Sequence, residues 1–541
     1  IKINILKGHI MLINSRISRH LFLGLSVIII SGSISFANPK PGGDLVVPVD
    51  GFPPHFNSAI KTGFSIYTAA SQIFVSLVQI NMDYKPVPYL AKSWEISPDG
   101  LTYTFHLHEG TEFHDGKPVT SKDVAFSLGL SKANHPMGKS MFALVDRVET
   151  PDKYTAVIKL KKSHPALMTA LAAPLLPILP EHVYGEANGP IRKNPANIMA
   201  IGSGPFKVKE FTAGKSYILE RNENFFRQGR PYLDRYIARK VSSPSSALIA
   251  LSNQEIHTHR EGDPQFVAKM KKNKLLRVSS EGMRGIGSTN FIEFNLRKKY
   301  VKDKRVRHAI AYAIDREFIT KTLHRGNTRT STGPIPYGHP FYTDDVSHFR
   351  VNLEKANQIL DDAGYKRGSD GTRFELNLIY PPFTGYSQKM VAEYMKPQLK
   401  KIGIKINLKP PADFQDWYTT MSAWDHDMST SNVFMWGDPV IGTYRLFMSD
   451  NIKHRVWTNT AGYINKEVDA ILIEASSETD EAKRRALYVK FQQIISDELP
   501  YYFIVEDVFY EAYHKDLVNT PSDTFSGGPW DAAYWKDGKA P

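Results

Sequence analysis

Apolar and polar positions alternate early in the chain: Leu101, Tyr103, Phe105 and Leu107 face one way, and Thr102, Thr104, His106 and His108 the other, the period of a half-buried strand. Gly110 and Gly116 mark a turn. Thr120 then stands three residues before Asp123, the spacing of a capping box, with Val124, Phe126, Leu128 and Leu130 at helical intervals behind it. Residues 202–222 predict a hairpin turning at Thr212 to Gly214. Residues 290–319 predict an alternating strand (Phe291, Glu293, Asn295 against Ile292, Phe294, Leu296) and then a helix. Asp303 can cap that helix, and Val306, Ile310, Ile314 and Phe318 recur along it every four residues. Asn352 can cap another, with Leu353, Ala356, Ile359, Leu360 and Ala363 on one face and Gly364 as its stop. Phe374 to Tyr380 alternates, Ser387 to Lys400 has helical spacing, and Ile402 to Leu408 alternates again. This strand, helix, strand order predicts a parallel βαβ unit. Sheet and helix are mixed throughout, without a repeat of fixed period, so the fold class is α/β.

Composition narrows the chemistry. The 541 residues are 42% hydrophobic and 11% aromatic, enough for several packing units. The absence of cysteine excludes thiolate nucleophiles, Cys-ligated metals, disulfides and a lipid-modified N-terminal cysteine. Counting from Met11, the chain has basic Arg16 and Arg19, an apolar stretch from Leu21 to Ile30, and small residues ending at Ser35-Phe36-Ala37. That is the pattern of a secretory signal peptide over residues 1–37, with residues 1–10 read as a start-site artefact. Its removal takes away Lys2, Lys7, Arg16 and Arg19 and no acid, and lowers the formal charge from +13 to +9. The next most apolar segment, Pro165 to Pro180, is interrupted by Pro174 and Pro177 and reads as a helix and a proline-rich loop. The expected location is the periplasm, without a lipid anchor.

Enzyme motifs are missing. There is no G-x-S-x-G; His108 to Glu112 lacks the second histidine of H-E-x-x-H and falls at a glycine turn. Gly214-Lys215-Ser216 lacks the earlier glycine of a phosphate-binding loop, because Lys209 stands there. His106, His108 and His114 form a possible metal cluster, for which a solvated strand face is the simpler reading. Lys269, Lys271, Lys272 and Lys274, and the run from Arg297 to His308, lack interleaved aromatics and read as solvated helix faces, so no nucleic-acid partner is expected.

Several blocks together resemble the family 5 extracellular solute-binding proteins, the peptide, nickel and opine receptors of ABC importers. They are AKSWEISPDGLTYTFHL (91–107) running into GTEFHDGKPVTSKDVAFSL (110–128), GSGPFKVKEF (202–211), RNENFF (221–226), VRHAIAYAIDREFI (306–319) and NLEKANQILDDAGY (352–365). The resemblance spans residues 40–510 and implies a two-lobed, three-part periplasmic binding protein fold of type II, with a ligand cleft between lobes joined by hinge strands. By the same analogy, residues 38–288 form lobe 1 with its inserted subdomain, residues 289–500 form lobe 2, and residues 501–541 return to lobe 1. The crossing strands lie near Phe291 to Asn295 and Tyr501 to Glu506. The implied function is non-catalytic: a monomer without cofactor that captures short peptides and delivers them to ABC permease subunits at the inner membrane. A metal chelate, haem, opine or oligosaccharide is the alternative solute, and a secreted hydrolase or a folding helper the alternative class.

A peptide needs a carboxylate for its ammonium, a cationic partner for its carboxylate, and apolar walls. Trp436, Asp438 and Arg445 lie close together in NVFMWGDPVIGTYR (432–445). The resemblance implies that Asp438 pairs with the ligand ammonium. The usual loop is longer and has two aspartates, so capping of the loop stays open as the other role. Trp417, Trp424 and Tyr463 are candidate walls, with core packing as the alternative. Phe56 and Asn57 lie in a loop that often reaches the cleft, and Arg284 stands beside the expected hinge.

Overall fold

The strand patterns assemble into four principal sheets. A computed structural model describes residues 39–49, 51–281, 283, 285–382, 385–521 and 528–541, without the side chains of residues 385 and 386. The expected signal peptide and Arg284 lie outside the described residues. Strands Phe206–Thr212 and Ser216–Arg221 form the predicted hairpin and join Arg235–Lys240 and Asp44–Val49 in one sheet. Thr102–Leu107 is an inner strand of a four-stranded antiparallel sheet, with Tyr103, Phe105 and Leu107 buried as the alternation requires. The capping box forms at the helix Ser121–Asn134: the Asp123 carboxylate accepts from the Thr120 backbone N–H at 2.9 Å.

The six-stranded sheet has the order Thr328–Thr330, Tyr501–Asp507, Ser288–Phe294, Met428–Phe434, Phe374–Ile379, Ile404–Leu408. Its last two strands are parallel and joined by the helix Gly385–Lys401, the expected βαβ unit. The inner strands are buried on both faces. Ile292, Phe294, Tyr502 and Ile504 enter one apolar core, and Phe291, Val433, Tyr501 and Phe503 the other. Glu293 and Asn295, which alternation set on one face with Phe291, are buried too. Glu293 lies 3.3 Å from His426 and accepts from Thr460 at 2.9 Å, while Asn295 donates to the carbonyls of Trp424 and His426, both at 2.9 Å.

Asp303 caps a helix as expected, but that helix stops at Ala313 instead of continuing to Phe318. Asp315 starts a new cap there, its carboxylate accepting from the Phe318 N–H at 2.9 Å, so local capping outweighs the four-residue apolar repeat. Asn352 caps Leu353–Asp362, and Gly364 follows with φ 84°. Pro165 to Pro180 holds only the short helix Leu167–Ala170 before a loop. No helix among the described residues is long and apolar enough to cross a membrane.

After Tyr501–Asp507 the chain leaves this sheet and enters a three-stranded one as Tyr510–His514, between Thr258–Glu261 and Leu276–Ser279. The C-terminal segment returns to the first sheet, where the Trp535 indole donates to the Asp44 carbonyl at 3.1 Å.

Candidate functional site

Between these groups of sheets lies a cavity of about 2070 Å³. Segments near 61–68, 132–144, 258–266, 432–458 and 507–513 line it, together with Ser387 and Gln388. Drug-sized ligands occupy roughly 300–1,000 Å³, so this space suits something larger.

The aromatic wall is built around Trp436. Its ring meets Tyr67 edge-on at 5.3 Å and Phe434 at 5.7 Å, and Phe64 packs on Phe434 at 5.7 Å. Trp436, Val440 and Ile441 follow the six-stranded sheet in sequence yet enter the apolar core shared by Tyr103, Phe105 and Leu128. Trp436 and Gly437 both have positive φ, 58° and 77°. For tryptophan this conformation costs on the order of 1–3 kcal/mol. Main-chain bonds hold it: the Trp436 N–H donates to the Ile286 carbonyl at 3.2 Å and the Gly437 N–H to the Gly285 carbonyl at 2.5 Å.

Arg445 also lines the cavity. Its Nε donates to the Gly442 carbonyl at 2.9 Å, and no carboxylate among the described residues ion-pairs with it. Burial lowers its pKa to about 10, a value at which it stays cationic at neutral pH. Lys453 and Arg455 lie in the same lining segment. The lining carboxylates are Glu261, Asp263, Asp450, Asp507 and Glu511, of which Glu511 is paired with Arg260 at 2.8 Å.

The other expected site residues lie elsewhere. Asp438 is buried, accepts from the Val440 N–H at 3.0 Å as a helix N-cap, and pairs with buried Arg484 at 2.9 Å. Of the two roles open to it, the geometry realises capping; its charge is already neutralised and it does not line the cavity. Burial disfavours the Arg484 charge, but Asp438 together with the Tyr488 and Tyr444 hydroxyls more than offsets this and its pKa is raised.

Phe56 and Asn57 are core residues. Phe56 packs on Phe211 and Tyr217, and the Asn57 side chain donates to Asn197 at 2.9 Å. Eight residues later, Phe64 is the one that reaches the cavity. Trp417 is buried with Ile379, Met421 and Val456. Trp424 is sandwiched by His454, stacked at 3.8 Å, and the Arg297 guanidinium at 3.7 Å. Tyr463 donates its hydroxyl to Glu498 inside another core. Core packing thus replaces the wall role for Trp417 and Tyr463, and ring and cation contacts outside the cavity occupy half-buried Trp424.

The three histidines considered for metal do not converge. His106 lies 4.0 Å from Glu95, His108 packs on Phe226 at 5.2 Å, and both ring nitrogens of His114 are used by Gly202 and Gly204. Phe64, Phe434 and Asp507 carry no local motif. They join the site through contacts between residues far apart in sequence, such as the bond from Ser288 to Asp507 across 219 positions.

The sequence profile described as "Bacterial extracellular solute-binding proteins, family 5 Middle" matches residues 85–454. The oligopeptide-binding protein AppA of Bacillus subtilis (strain 168) is 30% identical over 502 residues, 88% of each chain. Heme-binding protein A of Haemophilus influenzae is 28% identical over 486 residues, 85% of each. The solved structure of Bacillus subtilis AppA in complex with a nonapeptide superposes with a TM-score of 0.76 at 27% identity, covering 92% of this chain and 99% of that one. With this match in sequence and fold, and a large cavity between its sheets, the chain belongs to the family 5 bacterial extracellular solute-binding proteins.

Proposed function

We propose that this substrate-binding component of an ABC importer captures short peptides, holding them in the cavity against the Trp436 wall with the ligand carboxylate on Arg445. The observation that carries this reading is a half-buried guanidinium with no carboxylate partner among the described residues, lining a cavity about twice the size a drug-sized ligand needs. The nonapeptide held by AppA supports the same ligand class. A haem-sized solute is the second reading, favoured by the aromatic wall and by the name of the Haemophilus relative.

The protein acts by binding, without turnover, as a monomer that meets its permease in the periplasm after loss of residues 1–37. Residues 38–288 and 501–541 form one lobe and residues 289–500 the other. Entry of Tyr510–His514 into the three-stranded sheet and return of the C-terminal segment to the first sheet support this division, although Tyr501–Asp507 itself pairs within the six-stranded sheet. Native mass spectrometry of the purified protein, followed by calorimetry with di- to pentapeptides, tests the ligand class. Peptide binding that C-terminal amidation weakens by about 30-fold is the expected result; binding of a non-peptide solute alone refutes it.

A further inference from the structure

The cavity contains a second charged group without an ionic partner among the described residues. Asp507 closes the strand Tyr501–Asp507, where the chain passes from the six-stranded to the three-stranded sheet, and it lines the cavity. Its Oδ2 accepts from the Ser288 hydroxyl at 2.7 Å, and Asn432 in turn donates to Ser288 at 3.4 Å. These neighbours are neutral, and no cation among the described residues ion-pairs with Asp507.

The other lining carboxylates are occupied or solvated. Glu511 is paired with Arg260. Glu261 lies 3.5 Å from His259 and accepts from two backbone N–H groups, and Asp263 caps the helix Pro264–Lys272. Asp450 is exposed.

The contacts from Asp507 to Arg445 run along the aromatic wall. Ser288 is the ladder partner of Phe434, Phe434 packs on Trp436, Trp436 meets Tyr67, and the Tyr67 hydroxyl lies within electrostatic reach of Arg445. An acid and a guanidinium, each lacking a counter-charge, thus bracket one apolar surface in one cavity.

We propose that Asp507, in place of the tryptophan-loop aspartate, receives the amino terminus of the bound ligand, so that the cavity reads a zwitterion between Asp507 and Arg445. The proposal rests on the peptide reading above. A half-buried carboxylate without a cation is unfavourable, and an arriving ammonium that closes it off from water relieves that cost while Ser288 holds the carboxylate in place. Burial raises the pKa of Asp507, as expected for an acid whose cationic partner arrives with the ligand.

The test uses two pools of random pentapeptides made without Lys, Arg or His, one with free and one with acetylated amino termini. Each is offered to the refolded, ligand-free protein, and retained peptide is measured by mass spectrometry. The free-amine pool is expected to bind and the acetylated pool to bind at least about 30-fold more weakly. In Asp507→Asn, which keeps an acceptor for Ser288, the two pools are expected to bind alike. Equal retention of both pools by the wild-type protein, or discrimination that survives in Asp507→Asn, overturns the assignment and leaves the peptide reading standing. Retention of neither pool overturns both. Equal retention by the wild-type protein refutes the assignment even if Asp507→Asn does not fold, and Asp507→Ser then serves as the second variant, expected to retain both pools alike.

Discussion

At the residue scale, Asp438 illustrates how burial decides the role of a charged group. Its sequence neighbourhood suits ligand pairing, yet Arg484 from a distant helix lies 2.9 Å away in a dry interior. Removing one member of such a pair leaves the other charge uncompensated. Asp438→Ala is therefore expected to destabilise the protein by about 3–5 kcal/mol, whereas Asp438→Ala combined with Arg484→Met recovers most of that loss. Thermal unfolding of the single and double variants measures the difference. A mere surface pair contributes about 0–1 kcal/mol and produces no such recovery.

At the element scale, the strand Tyr501–Asp507 is enclosed on both faces, and its two terminal carboxylates share the consequence. Glu506 accepts from the Tyr337 N–H at 3.1 Å with both oxygens, but burial dominates and pushes its pKa up to about 7. A carboxyl that holds its proton more tightly when folded contributes stability that is full below about pH 4.5 and is lost as pH rises through about 7. Glu506→Gln removes that dependence. Its thermal midpoint is expected to match the wild type near pH 4.5 and to exceed it at pH 8, by a stability difference on the order of 3 kcal/mol. Identical midpoints at both pH values refute the assignment. The alternating pattern of the other crossing strand was legible in the sequence, but burial of Glu293 was not, because its partners His426 and Thr460 are 133 and 167 residues away.

At the scale of the whole molecule, the aromatic wall joins the two sides of the cavity. Phe64 belongs to the helix Phe64–Ile73, and Phe434 to the six-stranded sheet; their rings meet edge-on at 5.7 Å. A ligand held against this wall touches Phe64 and Phe434 at once, so it favours a closed arrangement only as far as it binds that arrangement better. Small-angle scattering is expected to record a smaller radius of gyration once a binding pentapeptide is added. An unchanged radius at saturation argues for a rigid cavity.

The sequence by itself determined what depends on near neighbours. The period of the strands, the caps at Thr120, Asp303 and Asn352, the βαβ unit from 374 to 408 and the order of the family blocks rest on spacings of a few residues, and the structure realises them. Tertiary structure alone decided which polar groups face the cavity. Trp417, Trp424, Tyr463, Phe56, Asn57 and Asp438 carry suitable chemistry but meet other partners first, while Phe64, Phe434 and Asp507 become site residues through contacts with distant segments. Desolvation and charge pairing depend on what the fold brings within a few ångströms, and local sequence spacing does not encode that distance.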